Sequence, residues 1–303
     1  VSKRTEKGQQ KRPWKLLLWT AFAGLIFGLI GFGEVAEDWL RVARNSFHPH
    51  KASGNIVLLM IDDKSLHEIG NWPWPRRTDA ELVDRLTAAG ANRIFFDVNF
   101  SFASNPTDDE IFGAAIARSG RVTLFTRSRI GQVGTAHNVD DLPLPVLRKH
   151  AKLGAASLFY NYQNAVWRVQ YAAKLRTGRV PSFAAALAKV SGPADEDFRV
   201  DYSTDLRTLP TYPAGDVLTG QVGARQLAGK DVVIGIGTDV IGDSYFIPGY
   251  GKAFGIHVHA IAAETLKRGR PIDLGWGVSF VFGMLAAALV ATRKRSLHQL
   301  PIL

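Results

Sequence analysis

Apolar positions along the chain fall into contrasting patterns. Through the middle, short β-type runs alternate with amphipathic helical stretches, and a long charge-free run stands near each end. The run 56–61, "IVLLMI", ends on Asp62 and Asp63. Residues 70–77, "GNWPWPRR", are turn-rich. Residues 78–89 then carry a helical period closed by Gly90, and a second apolar run, 93–96, ends on Asp97. Strand, helix and strand joined by a connection of this length predict a parallel βαβ unit.

The pattern continues in the same sense. A loop over 101–107 leads to a helix predicted over 108–119, with Thr107 as N-cap, Glu110 completing a capping box and Gly120 ending it. Residues 121–126 predict a third strand. Residues 143–149 suit a short helix, and 153–159 with 167–171 suit a hairpin turning at 160–164. A helix from Pro181, a short strand at 199–202, a strongly apolar strand at 230–238 and a last helix at 254–266 complete the middle of the chain. The expected fold is α/β and three-layer-like, with a mixed, largely parallel sheet.

The end runs read differently. Residues 14–33 hold no charge from Leu16 to Phe32, and roughly 20 apolar residues suffice to cross a bilayer core. Trp14 and Trp19 suit an interfacial belt. A cleavable leader is the alternative, but Glu34 stands where its cleavage site needs a small residue. Residues 272–292 form the second such run, charge-free from Leu274 to Ala291, with Trp276 near its front. The expected organisation is a basic cytoplasmic tail at 1–13, a transmembrane helix at 14–33, an extracytoplasmic domain at 34–271 and a second transmembrane helix at 272–292. Residues 293–303 then form a cytoplasmic turn, and the apolar Gln299 to Leu303 suit the start of a further membrane helix. The chain opens on Val1.

Charge supports that arrangement. Of the net +10, about half comes from Lys3, Arg4, Lys7, Lys11, Arg12 and Lys15 against Glu6; Arg293, Lys294 and Arg295 add three. Basic clusters outside two apolar runs orient a membrane protein with both termini inside, so the excess points to a lipid bilayer and not to nucleic acid. The chain has no cysteine, which removes disulfides and thiolate metal sites.

Candidate chemistry concentrates on acids and aromatics. Asp62, Asp63, Asp97, Asp108 and Asp109 lie where strand ends and helix starts converge, and could hold a hard cation or a cationic ligand. The same acids could cap helices and turns, and Asp62 could pair with Arg76. In Trp72-Pro73-Trp74-Pro75-Arg76 the prolines stiffen the backbone and hold two indoles in place, either for a ligand or a second protomer, or as a plug over the sheet. The ligand-site candidates are Asp62, Asp63, Trp72, Trp74, Arg76 and Asp97. No metal site or cofactor is assigned: His48 and His50 sit in a Pro-containing linker, His257 and His259 share a face only if extended, and the Gly235, Gly237 and Gly242 spacing does not fit a nucleotide loop. No nucleophilic catalytic set is evident, and the chain is not expected to be an enzyme.

The stretch "IVLLMIDDKSLHEIGNWPWPRR", followed by "GANRIFFDVNFSFASNPTDDEIFGAAIARSG", resembles the second class of CHASE sensor domains, extracellular sensory domains of bacterial cyclases and histidine kinases. Its most specific part is the Trp-Pro-Trp-Pro-Arg run at 72–76. Residues 211–218, 239–248 and 254–266 resemble further family segments, so the likeness covers 34–270. Where the family has an Asp-Gly turn this sequence has Gln163-Asn164-Ala165, while Arg168 still matches. The resemblance implies a sensor in the bacterial inner membrane, with an unknown extracytoplasmic ligand and a cytoplasmic output domain, fused or separate. That output would be a cyclic-nucleotide or cyclic-di-GMP enzyme or a kinase, and paired outputs imply a homodimer. A metal-dependent hydrolase using Asp62 and Asp97, or a structural envelope protein, are the competing readings.

Overall fold

The computed structural model describes residues 13–29, 34–70, 72–129, 139–161, 164–194, 196–239, 242, 244–269 and 275–292. The chain divides into two compact units, Val1–Arg41 with Ile272–Leu303, and Val42–Pro271. In chain order the helices used below are α1 (Pro13–Leu29), α2 (Glu34–Phe47), α3 (Asp63–Ile69), α4 (Arg76–Ala88), α5 (Pro106–Ser119), α6 (Phe183–Ala188), α7 (Ala214–Leu218), α8 (Gly255–Lys267) and α9 (Gly275–Thr292). The strands are β1 (Ile56–Ile61), β2 (Arg93–Asp97), β3 (Val122–Arg129), β4 (Val139–Asp141), β5 (Lys152–Ala155), β6 (Thr211–Pro213), β7 (Asp231–Ile236), β8 (Ser244–Ile247) and β9 (Gly251–Phe254).

The larger unit is built on a seven-stranded sheet in the order β6-β1-β7-β2-β3-β4, with β5 also paired to β3. Every pairing is parallel except β3 with β4. A strand covered on both faces needs apolar side chains in both directions, which is why 56–61 is a continuous run and not an alternating one. All six of its residues are buried. Val57, Leu59 and Ile61 pack with α4, α5 and α7 on one face; Ile56, Leu58 and Met60 pack with α6 and α8 on the other. This is the expected α/β architecture with helices on both sides of a largely parallel sheet.

Local chemistry sets the helix boundaries. Asn105, not Thr107, caps α5: its side chain accepts from the backbone of Thr107 at 3.0 Å and Asp108 at 3.4 Å. Pro106 explains the shift of two residues, because its fixed φ and missing N–H suit the first helical position and place the cap just before it, at Asn105. Gly120 ends that helix at φ +61°, a conformation in which a Cβ would be strained. The expected hairpin over 153–171 is not formed. Residues 152–155 join the main sheet beside β3, Arg168–Gln170 pair antiparallel with Asp197–Arg199, and among the described residues the strand pairing between the two segments is a single Phe159–Arg168 bridge. At the departing turn, Asn164 takes φ +57°, the left-handed geometry an Asp-Gly turn would have given to glycine. Gly154 is required for another reason: a Cβ there would stand 2.3 Å from the Phe183 ring, so its absence lets α6 approach β5.

In the smaller unit α1 and α9 pack together. A Cβ on Gly24 would lie 3.1 Å from the Phe280 ring, a close approach that a small residue permits. Among the described residues no helix is long and apolar enough to cross a membrane. At 1.5 Å per residue the 17 residues of α1 and 18 of α9 reach about 25 and 27 Å, against a hydrocarbon core of about 30 Å. Of the expected spans 14–33 and 272–292 the structure describes 14–29 and 275–292; 30–33 and 272–274 lie outside the described residues.

Candidate ligand cleft

The carboxyl ends of the parallel strands serve two different purposes on the two sides of the sheet. On the α4 side they are closed by ion pairs and caps. Asp62 caps α3, accepting from Ser65 N at 2.9 Å and Ser65 Oγ at 2.7 Å. Asp63 is exposed in the first turn of the same helix, where its charge suits the helix dipole. Arg76 does not reach for Asp62. Its guanidinium is buried between Asp79, 3.4 Å away, and Asp109, 3.8 Å away, and it stands 4.5 Å above the Phe100 ring. Arg77 grips Asp108 with two contacts of about 3 Å from Nε.

The tryptophans belong to this same closed side. Trp74 is 2% exposed, donates its indole N–H to Gly70 O at 2.9 Å, and meets the half-buried Trp72 edge-on at 5.6 Å. Both pack into the α4-side core. Burial pushes the Asp79 carboxyl up to about 7, with Arg76 opposing the rise. Among the described residues no three His, Asp or Glu side chains converge on a metal position.

Asp97 points the other way. It ends β2, in register with Gly235 of β7, and lines a cleft of about 660 Å³ on the α8 side. Strand ends supply the cleft floor: Asp97 and Val98 after β2, Phe125 and Arg127 from β3, and Ile236 from β7. The segment after β5, 156–160, forms one wall; Ser244 and Tyr245 of β8 form another, tied to the 160–164 turn by Asn164 Nδ2 donating to Ser244 O at 3.1 Å. Gly255, Ile256 and His259 of α8 close the inner end. Tyr160 and Tyr245 pack against each other at the mouth, their rings tilted and 6.0 Å apart.

This is where an open parallel sheet holds a ligand, outside its strand carboxyl ends. The volume lies in the range of small-molecule sites. Arg127 is committed across the β3–β4 pair to Asp141, at 2.9 Å. His259 is 1% exposed; burial drives its imidazole down to about 4, so it is neutral at physiological pH. Its Nε2 is 3.7 Å from Asp97 Oδ2, and its Nδ1 is buried with no hydrogen-bond partner among the described residues.

Of the six ligand-site candidates from the sequence, the fold therefore brings Asp97 alone to this cleft. Asp62, Trp72, Trp74 and Arg76 hold the α4 side together, and Asp63 stays at the surface. Sequence reasoning passed over Arg127, Tyr160, Tyr245 and His259 as cleft residues. The available signal was His259, which with His257 interrupts an apolar helical run.

Residues 16–292 match the CHASE2 domain. The chain belongs to the CHASE2 domain family. CHASE2 domains are extracytoplasmic sensory domains of signalling receptors, not catalytic ones. No curated protein matches the chain, and no solved structure matches it. A second cavity, about 460 Å³, opens near the amino ends of the strands beside Arg93, Lys152 and Arg179. There Arg93 is engaged by Asp231 at 2.6 Å, and Arg179 donates to Gly192 O at 2.6 Å.

Proposed function

We propose that this CHASE2 domain is the extracytoplasmic input module of a bacterial membrane signal-transduction protein, reading a small ligand in the cleft beside Asp97. The observation that carries the reading is the cleft itself. It is open and polar-and-aromatic lined at strand carboxyl ends, in a family whose role is sensory. The output, a cyclic-nucleotide or cyclic-di-GMP enzyme or a kinase, lies outside this chain.

Anchoring in the inner membrane by α1 and α9 is part of the proposal. Leu18, Trp19 and Phe22 on α1 and Val281, Phe282, Leu285 and Leu289 on α9 are all exposed. A helix apolar on its outward face needs an apolar medium around it. The charge-free sequence around each helix extends beyond its described part, and a basic cluster flanks each run. A second copy of the chain is the proposed partner, since α2 leaves Trp39, Leu40 and Phe47 exposed and paired outputs require paired inputs. A ligand can shift such a receptor only through different affinities for its two arrangements. The cleft wall α8 ends at Lys267 and α9 begins at Gly275, so a change at His259 has a short covalent route to the anchor.

Reporter fusions at Gly178 test the reading. An extracytoplasmic phosphatase is expected to be active there and a cytoplasmic galactosidase inactive. The reverse pattern would overturn it.

A further inference from the structure

The second cavity, at the amino ends of the strands, has a charge balance of its own. Its floor is sheet: Phe95 of β2 and Thr123 of β3 line it and are 1% and 5% exposed. Leu153 of β5 and Val180 add apolar walls. Three cations line it as well, Arg93, Lys152 and Arg179, and no described side chain of the lining is an acid. Arg93 is fully engaged. Its guanidinium grips Asp231 at 2.9 and 2.6 Å and donates to Ala186 O at 2.5 Å and Leu187 O at 2.8 Å.

The other two cations keep their charge. Arg179 donates to a neutral carbonyl, Gly192 O, at 2.6 Å, and Lys152 makes no ion pair with any described residue. Residues 172–175 and 178–181 form an antiparallel pair that sets Lys174 directly opposite Arg179. Opposed side chains share a face, and like charges there destabilise the pair. Among the described residues the acid bonded to this hairpin is Asp140, which accepts from Arg176 N at 2.7 Å and from neither cation. Lys152, Lys174 and Arg179 set against Asp140 leave a surplus of positive charge.

Thr123 adds a neutral donor. It is buried, and its hydroxyl has no hydrogen-bond partner among the described residues. A hydroxyl so placed costs free energy unless a ligand or water meets it. Lys152 is the register partner of Thr123 across the parallel β3–β5 pair, so the free ammonium and the free hydroxyl start from adjacent backbone positions.

We propose that this cavity binds a small organic carboxylate, its head held by Lys152, Arg179 and the Thr123 hydroxyl and its apolar body against Phe95 and Val180. A volume of about 460 Å³ suits such a ligand. A cation would meet like charge, a neutral molecule would gain nothing from the two cations, and a bare inorganic anion would leave the apolar walls in water. The site lies beyond the sensory reading of the Asp97 cleft and does not rest on it.

The experiment is calorimetric titration of the full chain in phosphatidylcholine nanodiscs with benzoate, 3-phenylpropanoate and hexanoate. Benzamide, hexylammonium and inorganic phosphate are the controls. At least one carboxylate is expected to bind, with every control at least about 10-fold weaker. Lys152→Gln should weaken the carboxylate by about 2- to 5-fold, the range for one exposed charge pair. Thr123→Val, nearly isosteric, should weaken it by about 2- to 10-fold, the range for one hydrogen bond. If circular dichroism shows that Thr123→Val has not folded, Lys152→Gln decides, because that exposed side chain is removed without touching the core. Absence of binding by all three carboxylates, equal binding of benzamide or phosphate, preference for hexylammonium, or carboxylate affinity unchanged by a folded Lys152→Gln would each overturn the proposal. The fusions at Gly178 report topology alone, so loss of the carboxylate and loss of the sensor reading are separate outcomes.

Discussion

The two sides of the sheet start from the same materials and use them in opposite ways. Each carries acids at strand ends and an aromatic pair at close range: Trp72 with Trp74 at 5.6 Å, and Tyr160 with Tyr245 at 6.0 Å. On the α4 side every acid near the strand ends except the exposed Asp63 is gripped. Asp62 holds Ser65, Asp79 and Asp109 flank Arg76, and Asp108 holds Arg77. On the α8 side Asp97, 3.7 Å from His259, lines a cleft, and Tyr160 stands exposed against the half-buried Tyr245. The lesson is that residue type does not mark a binding site; what marks it is whether neighbouring elements enclose the group or leave it opening on a cleft.

That contrast predicts stability effects on one side and binding effects on the other. The largest stability loss should come from Trp74→Ala, since truncating a buried aromatic removes its transfer energy and leaves a cavity, costing about 3–5 kcal/mol. Urea unfolding would measure it. A cost below about 1 kcal/mol would mean that the indole is held for a ligand and not for the core. Arg76→Met comes next. It leaves Asp79 and Asp109 buried without their cation, which typically costs about 3 kcal/mol or more, offset in part when Asp79 takes up a proton.

The strands were legible in the sequence because each is covered on both faces. A run such as 56–61 or 231–236 is then apolar at nearly every position, and its shortness between turn signals tells it from a buried or membrane helix. Helix α4 was legible from its period over 78–89 and its C-terminus from Gly90, although it begins at Arg76, inside the stretch read as a turn. What escaped reading depended on distant partners. The 153–171 hairpin looked local, but Arg168–Gln170 found their partner at 197–199 and 152–155 found theirs in β3. The cleft escaped for the same reason: Asp97, Arg127, Tyr160, Tyr245 and His259 come from five separate segments. His257 and His259 are two residues apart on a helix, so they diverge, and only the fold shows that His259 turns toward Asp97.

A subtler test uses pH, because the two sides titrate in opposite directions. Asp79 holds its proton up to about 7 in the folded protein against 3.8 in the unfolded chain, so its contribution to stability grows as pH falls from about 7 towards 4. His259 resists protonation down to about 4 against 6.5 unfolded, so its contribution is full above 6.5 and is lost as pH falls towards 4. Across the shared window the two effects oppose each other. Asp79→Asn should therefore expose a falling limb below pH 6.5, and His259→Asn a rising one below pH 7. Each would be at most a few kcal/mol, since a tenfold change in proton affinity is worth about 1.4 kcal/mol. Urea midpoints at pH 4.5, 5.5, 6.5 and 7.5 would show it; slopes of the same sign in both variants would contradict the assignment.

The smallest expected effect on stability is the most informative about function. Tyr160→Ser removes an aromatic that is 62% exposed, and exposed substitutions away from caps and buried pairs usually fall within about 0.5 kcal/mol. If the ring is part of a plug like Trp74, its loss should instead cost several times that, and the melt would show it. If the ring is one wall of an open cleft, the melt of the free protein stays where it was. A Tyr160→Ser variant that melts normally, beside a Trp74→Ala variant that melts early, would set the two sides of the sheet apart: one aromatic pair closes a core, and the other stands at the mouth of a cleft.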